Sequence, residues 1–145
     1  MSACVFCAIA RGELSAHKVH EDDLVTAFLD RGPIRPGHVQ IIPRAHIEVF
    51  DDLPPPVGTR ILEIGQRLAK AMKRTYHVDR VAFVFSGGDI DHAHAHVVPL
   101  IDKTDITSRR YIQEQTLTFR PMPTPPDNEL AAWANRLRTL LAGDA

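Results

Sequence analysis

No stretch of this chain approaches the ~20 consecutive apolar residues that a membrane-spanning helix requires. Met1-Ser2-Ala3-Cys4-Val5 at the start has no basic segment with an apolar run behind it, so a secretory signal is not expected. Excess charge of either sign is also lacking. Lys and Arg number 17 against 18 Asp and Glu, a formal net charge of −1, which gives no basic field to draw a nucleic-acid backbone. The expectation is a soluble cytoplasmic protein with neither membrane nor nucleic acid as partner, although a small anionic ligand stays open. Two cysteines in 145 residues exclude the disulfide framework of small secreted domains. The length and a 44% hydrophobic content suit a single domain, residues 1–145, with a core of its own at about 4–101 and a C-terminal extension at 102–145.

Histidine is what the chain has in strength. Three of its eight alternate in His92-Ala93-His94-Ala95-His96-Val97-Val98. Strand side chains have a period of two, so an extended reading puts all three imidazoles on one face. Ala93, Ala95 and Val97, small enough to pack under helices, take the other. A helix would scatter the rings, and Pro99 sits more easily at a strand end. Three imidazoles in register are costly to bury unpartnered, so they indicate a polar cleft, a metal, or both. A single ion cannot gather them, because at ~3.3 Å per residue the outer two stand roughly 13 Å apart.

Taken in order, the chain predicts a helical turn at Ala8–Arg11 stopped by Gly12, then a hairpin from Lys18 through the turn Glu21-Asp22-Asp23 into a strand, Leu24–Leu29, closed by Asp30. A Gly- and Pro-rich loop over 31–37 leads to a strand at His38–Ile42 that Pro43 ends. Three prolines, Pro54–Pro56, give a stiff entry to a helix from about Val57 to Tyr76. Its apolar stripe is Ile61, Ile64, Leu68 and Met72, with Gly65 and Ala69 or Ala71. A strand at Val81–Phe85 and the turn Ser86-Gly87-Gly88-Asp89 precede the histidines. The polar stretch 102–118 carries no assignment. Thr124-Pro125-Pro126-Asp127 reads as the start of a helix to about Leu141, whose face of Leu130, Trp133, Ala134, Leu137 and Leu141 packs on the domain or on a second subunit.

Cys4 and Cys7, close together at the N-terminus, read as half of a structural zinc site, which needs four N or S ligands in a tetrahedron. Histidines must supply the other two. His46 and His92 are preferred, since a strand exit and a neighbouring strand entry can meet in an antiparallel pair; His17, His20 and His77 are the alternatives. His94, in the middle of the row, is the natural nucleophile or general base and can form a phosphoramidate on phosphorus. His96, His38 and the backbone N–H groups of Ser86-Gly87-Gly88 can hold phosphate oxygens, although a Gly-Gly pair is equally an ordinary turn. Asp30 can accept from a ribose diol, or simply start its turn.

Together these residues resemble the histidine triad (HIT) family. The pattern runs through Cys4-Val5-Phe6-Cys7, Ala27-Phe28-Leu29-Asp30, Pro36-Gly37-His38, Ile41-Ile42-Pro43-Arg44-Ala45-His46 and His92-Ala93-His94-Ala95-His96-Val97-Val98-Pro99, about the first two thirds of the chain. The resemblance implies an α+β fold, an antiparallel sheet of about five strands with one long helix on it plus a C-terminal helix. It also implies a homodimer and nucleotidyl hydrolase or transferase chemistry on a nucleoside phosphate. His94 would be the nucleotidylated nucleophile, His96 and His38 phosphate contacts, Asp30 the ribose contact, and Cys4, Cys7, His46 and His92 the zinc ligands; no organic cofactor is implied. Where many members carry Gly-Gln followed by Ser or Thr before the triad, this chain has Gly87-Gly88-Asp89. Asp89 is then a candidate acid or base for the nucleotide, and a binding module with weak or no catalysis is the alternative function.

Overall fold

The computed structural model describes residues 4–88, 90–101 and 124–143. Asp89 and the polar stretch 102–118, both singled out above, lie outside them. Helix α1 (Val5–Arg11) ends at Gly12, whose φ of 77° is the left-handed turn that stops a helix at no Cβ cost. β1 (Lys18–Glu21) and β2 (Val25–Leu29) form the expected hairpin. Asp22 closes it by accepting the N–H groups of Leu24 and Val25. Its carboxyl is held well below the usual range: burial alone would raise it, but His20, Arg60 and these two N–H groups outweigh that.

β3 (Val39–Pro43), α2 (Pro55–Tyr76), β4 (Arg80–Phe85), β5 (Ala95–Leu100) and α3 (Asp127–Gly143) complete the described elements. The strands make one antiparallel sheet in the order β1-β2-β3-β5-β4. Alternation then divides the molecule. Val25, Ala27 and Leu29, Val39 and Ile41, and Ala95 and Val97 join Ile61, Ile64, Leu68, Ala71 and Met72 of α2 in the larger core. Phe28 and Ile42 turn the other way and meet Phe6, Ile9 and Ala10 of α1. Both faces are covered, which is why β2 is buried at every position.

α2 begins two residues before the expected start, because proline is tolerated in a first turn. Of the two alanines left open, Ala71 is the one in the core. α3 packs on its own domain: the Arg67 guanidinium donates to the Leu141 carbonyl at 2.6 Å, and Asp127 pairs with His17 of the segment before β1. Leu130, Ala134, Leu137 and Leu141 are buried there and Trp133 is partly buried.

One expectation needs correcting. Only His96 of the three alternating histidines lies in a strand; His92, in a bend, and His94 precede β5. The cause is local: the N–H of His92 bonds back to Ile90 O and that of Ala93 to Ile47 O, so this stretch is tied to the loop after β3 instead of to the β3 ladder. The alternation survives even so.

Candidate functional site

The histidines and α1 occupy the same face of the sheet, and Phe6 is the contact between them. Its ring lies edge-on to His92, His94 and Phe28, at centroid separations of 5.8, 5.2 and 5.7 Å. At the α1 end of the row, His92 Nδ1 stands 3.4 Å from Cys4 Sγ and 3.5 Å from Cys7 Sγ, and His46 Nδ1 is 3.4 Å from Cys7 Sγ. The four ligand atoms all fall within 4.8 Å of one another. In a tetrahedron with bonds of roughly 2.0 Å to nitrogen and 2.3 Å to sulfur, an N···S edge is about 3.5 Å. These side chains therefore fit a zinc ion.

The hydrogen bonds agree. His92 Nε2–H donates to Pro43 O at 2.9 Å, which leaves Nδ1 bare toward the thiols, the arrangement metal-bound imidazoles adopt. Burial, then the neighbouring Cys4, pushes the Cys7 thiol up, and a divalent cation would reverse that. The alternative histidines are elsewhere: His17 pairs with Asp127, His20 with Asp22, and His77 ends α2 in a left-handed conformation, φ 53°.

Asp30, His38 and His96 form a second converging group, again within 4.8 Å. Its proton arrangement does not suit a metal. The Ile34 N–H donates to His38 Nδ1 at 3.2 Å, so the proton of neutral His38 must sit on Nε2. Nε2–H in turn donates to His96 Nδ1 at 2.8 Å, which places the His96 proton on Nε2, 3.1 Å from Ser86 Oγ. A cation on His38 Nε2 would displace its proton to Nδ1, against the Ile34 donor. Both rings are kept neutral: burial pushes His38 down to about 4, helped by His96 and opposed by Asp30, and burial likewise lowers His96. The arrangement instead presents an N–H of fixed orientation at the Ser86 end.

His94 lies between the two groups. Its Nδ1–H donates to the His92 carbonyl at 2.7 Å, so the lone pair is on Nε2. His94 is 6% exposed and its ring centroid is 4.9 Å from that of His96. The row grows more open toward half-buried His96 and exposed Ser86. Ser86 and Gly87 follow β4, and Phe85 pairs with Ala95, which brings the turn beside His96. Gly87 is left-handed, φ 57°.

On the far side of Phe6 from His94 is an apolar cavity of about 240 Å³, lined in part by Phe6, Ile9, Leu14 and Phe28 and also by Asp30 and Gln40; none of the three alternating histidines lines it. Asp30 Oδ1 accepts the Gly32 N–H at 2.8 Å and Oδ2 accepts the Gln40 side-chain amide. His38 reaches Asp30 because Gly37 enters β3 at φ 87°, and a Cβ there would sit 2.3 Å from the Tyr76 ring. Asp30 thus starts its turn and faces the cavity at once. Phe6 and Gln40 were missed in the sequence. Phe6 reads as ordinary core; Gln40, the one polar side chain in Val39–Ile42 and in phase with His38, was the available signal. Its Oε1 is buried and has no partner among the described residues, a cost of ~1–3 kcal/mol.

Comparison with known proteins was consistent. An uncharacterized HIT-like protein of Borreliella burgdorferi is 34% identical over 106 residues, 68% of this chain and 76% of its own length. An adenosine 5′-monophosphoramidase of Saccharomyces cerevisiae is 38% identical over 103 residues, 70% of this chain and 65% of that protein. The crystal structure of a Zn-bound histidine triad family protein from Mycobacterium smegmatis superposes with a TM-score of 0.74 at 31% identity, covering 97% of this chain and 94% of the other. The HIT domain model matches residues 11–102, from the end of α1 to just past β5, and the chain belongs to that family.

Proposed function

We propose that this protein is a nucleotide hydrolase or nucleotidyl transferase that works through a covalent intermediate on His94. The observation that carries the reading is the His94 ring itself, with Nδ1–H tied to the His92 carbonyl, an unprotonated Nε2, His96 next in the row, and Phe6, a wall of the apolar cavity, edge-on to it. A nucleoside base suits the aromatic and aliphatic walls, and its ribose hydroxyls suit Asp30. The phosphate would lie against His96 Nε2–H, Ser86 Oγ and the backbone at Gly87, with His38 acting through His96. His94 Nε2 attacks phosphorus, and the leaving group departs with the electron pair of the broken bond and takes a proton from solvent, while His96 Nε2–H holds a phosphate oxygen. Water then attacks the phosphorus, the N–P bond breaks with its electron pair returning to His94 Nε2, and one water proton passes to solvent. The name of the yeast relative, an adenosine 5′-monophosphoramidase, favours mononucleotide conjugates as substrates, with dinucleoside polyphosphates as the second class.

Cys4, Cys7, His46 and His92 would hold a structural zinc, whose part is to anchor α1 and the His92 backbone that orients His94. A homodimer is part of the proposal: β4 is an edge strand, and Phe83 on it and Leu62 on α2 are exposed at 37% and 51%.

The test is a panel of nucleoside phosphoramidates, dinucleoside polyphosphates and adenylyl sulfate, with acid quench and mass spectrometry of the histidine peptide. Phosphorus on His94 in wild type, and activity lowered by about 10³-fold or more in His94→Ala, are expected. Full activity of His94→Ala would end the proposal. Tight nucleoside monophosphate binding without turnover would favour a sensor or adaptor instead, a reading that Gly87-Gly88-Asp89 in place of the common run supports.

A further inference from the structure

Within that reading of the cavity, Gln40 holds a place that packing does not explain. It lies in β3 opposite Phe28 on one side and His96 on the other, both on the α1 face of the sheet. An apolar side chain would serve the strand there, and would leave no orphaned Oε1. What the amide adds is its bond to Asp30 Oδ2.

We infer that Gln40 determines selectivity for ribose by positioning Asp30. A carboxylate oxygen can accept two hydrogen bonds. On Asp30, one acceptor site of Oδ1 is taken by Gly32 and one of Oδ2 by Gln40, so each oxygen keeps one. Two acceptors on one planar, fixed group match the two hydroxyls of a vicinal diol. The competing partner is close: His38 Nε2 is 3.7 Å from the same Oδ2. Without the Gln40 amide, Oδ2 turns toward that N–H. The diol then loses an acceptor, and His96 loses the donor that sets its proton.

Calorimetric titration of adenosine 5′-monophosphate and its 2′-deoxy analogue into wild type, Gln40→Met, Asp30→Asn and the double variant tests this. Wild type should prefer the ribonucleotide by at least ~10-fold. Gln40→Met should bring the ratio close to that of Asp30→Asn, and the double variant should go no lower. A purely structural role would weaken both ligands alike and leave the ratio unchanged, which would overturn the inference. So would a wild type without preference, or additive effects in the double variant. Gln40→Leu, of different shape, serves if the methionine variant does not fold. Wild type that binds neither nucleotide would overturn the proposed function as well, whereas binding with a ratio indifferent to residue 40 overturns this inference alone.

Discussion

Three identical side chains two residues apart divide between two tautomers, Nε2–H for His92 and His96 and Nδ1–H for His94, and the difference lies in what each ring touches. Pro43 O holds the His92 proton on Nε2, His92 O holds that of His94 on Nδ1, and the Ile34 N–H acts on His96 through His38. For His38 this has a consequence in pH. Its folded value, about 4, lies below the 6.5 of an open imidazole, so between these values the unfolded chain binds more protons than the native one. The stability it contributes is complete above pH ~6.5 and is lost as the pH falls toward ~4. Thermal melts across that window should show a falling Tm, and His38→Gln should flatten the slope; an unchanged slope would contradict the buried neutral ring. The identities of these residues were legible in the sequence from their period of two. Their proton positions were not, because Pro43 and Ile34 reach them only through tertiary contact.

α1 has seven residues, well short of what holds as an isolated helix in water. Phe6, Ile9 and Ala10 pin one side of it, and the cysteines that flank Phe6 face His46 and His92. Chelation, or Cys7→Ser, should therefore release bound zinc and speed amide exchange across residues 5–11 while α2 stays protected. Retention of a full equivalent of zinc by Cys7→Ser would place the metal elsewhere. Strands and the long helix could be read from periodicity to within a residue or two. The strand at the triad was started three residues too early, because the bond from Ala93 to Ile47 has no local signature.

At the scale of the whole molecule, the sheet divides the work. One face packs on α2 and α3, and the other carries α1, the histidines and the cavity. The exposed β4 edge is where a second copy would pair, with Phe83 seated over Gly65 of α2. Sedimentation should give the mass of two chains, and Phe83→Glu should shift it to one; a wild-type monomer would remove that part of the proposal. The opposite edge, β1, is already partnered by α3, and this closure was visible in the sequence only as two open possibilities.

Cys4 and His92 are 88 residues apart in the chain. A ribosome adding roughly 5–20 residues per second delivers the imidazole roughly 4 to 18 s after Cys4. On the proposed zinc assignment, Cys4 and Cys7 would wait that long for the fourth ligand, whose arrival would close a pocket with walls synthesised at opposite ends of the domain.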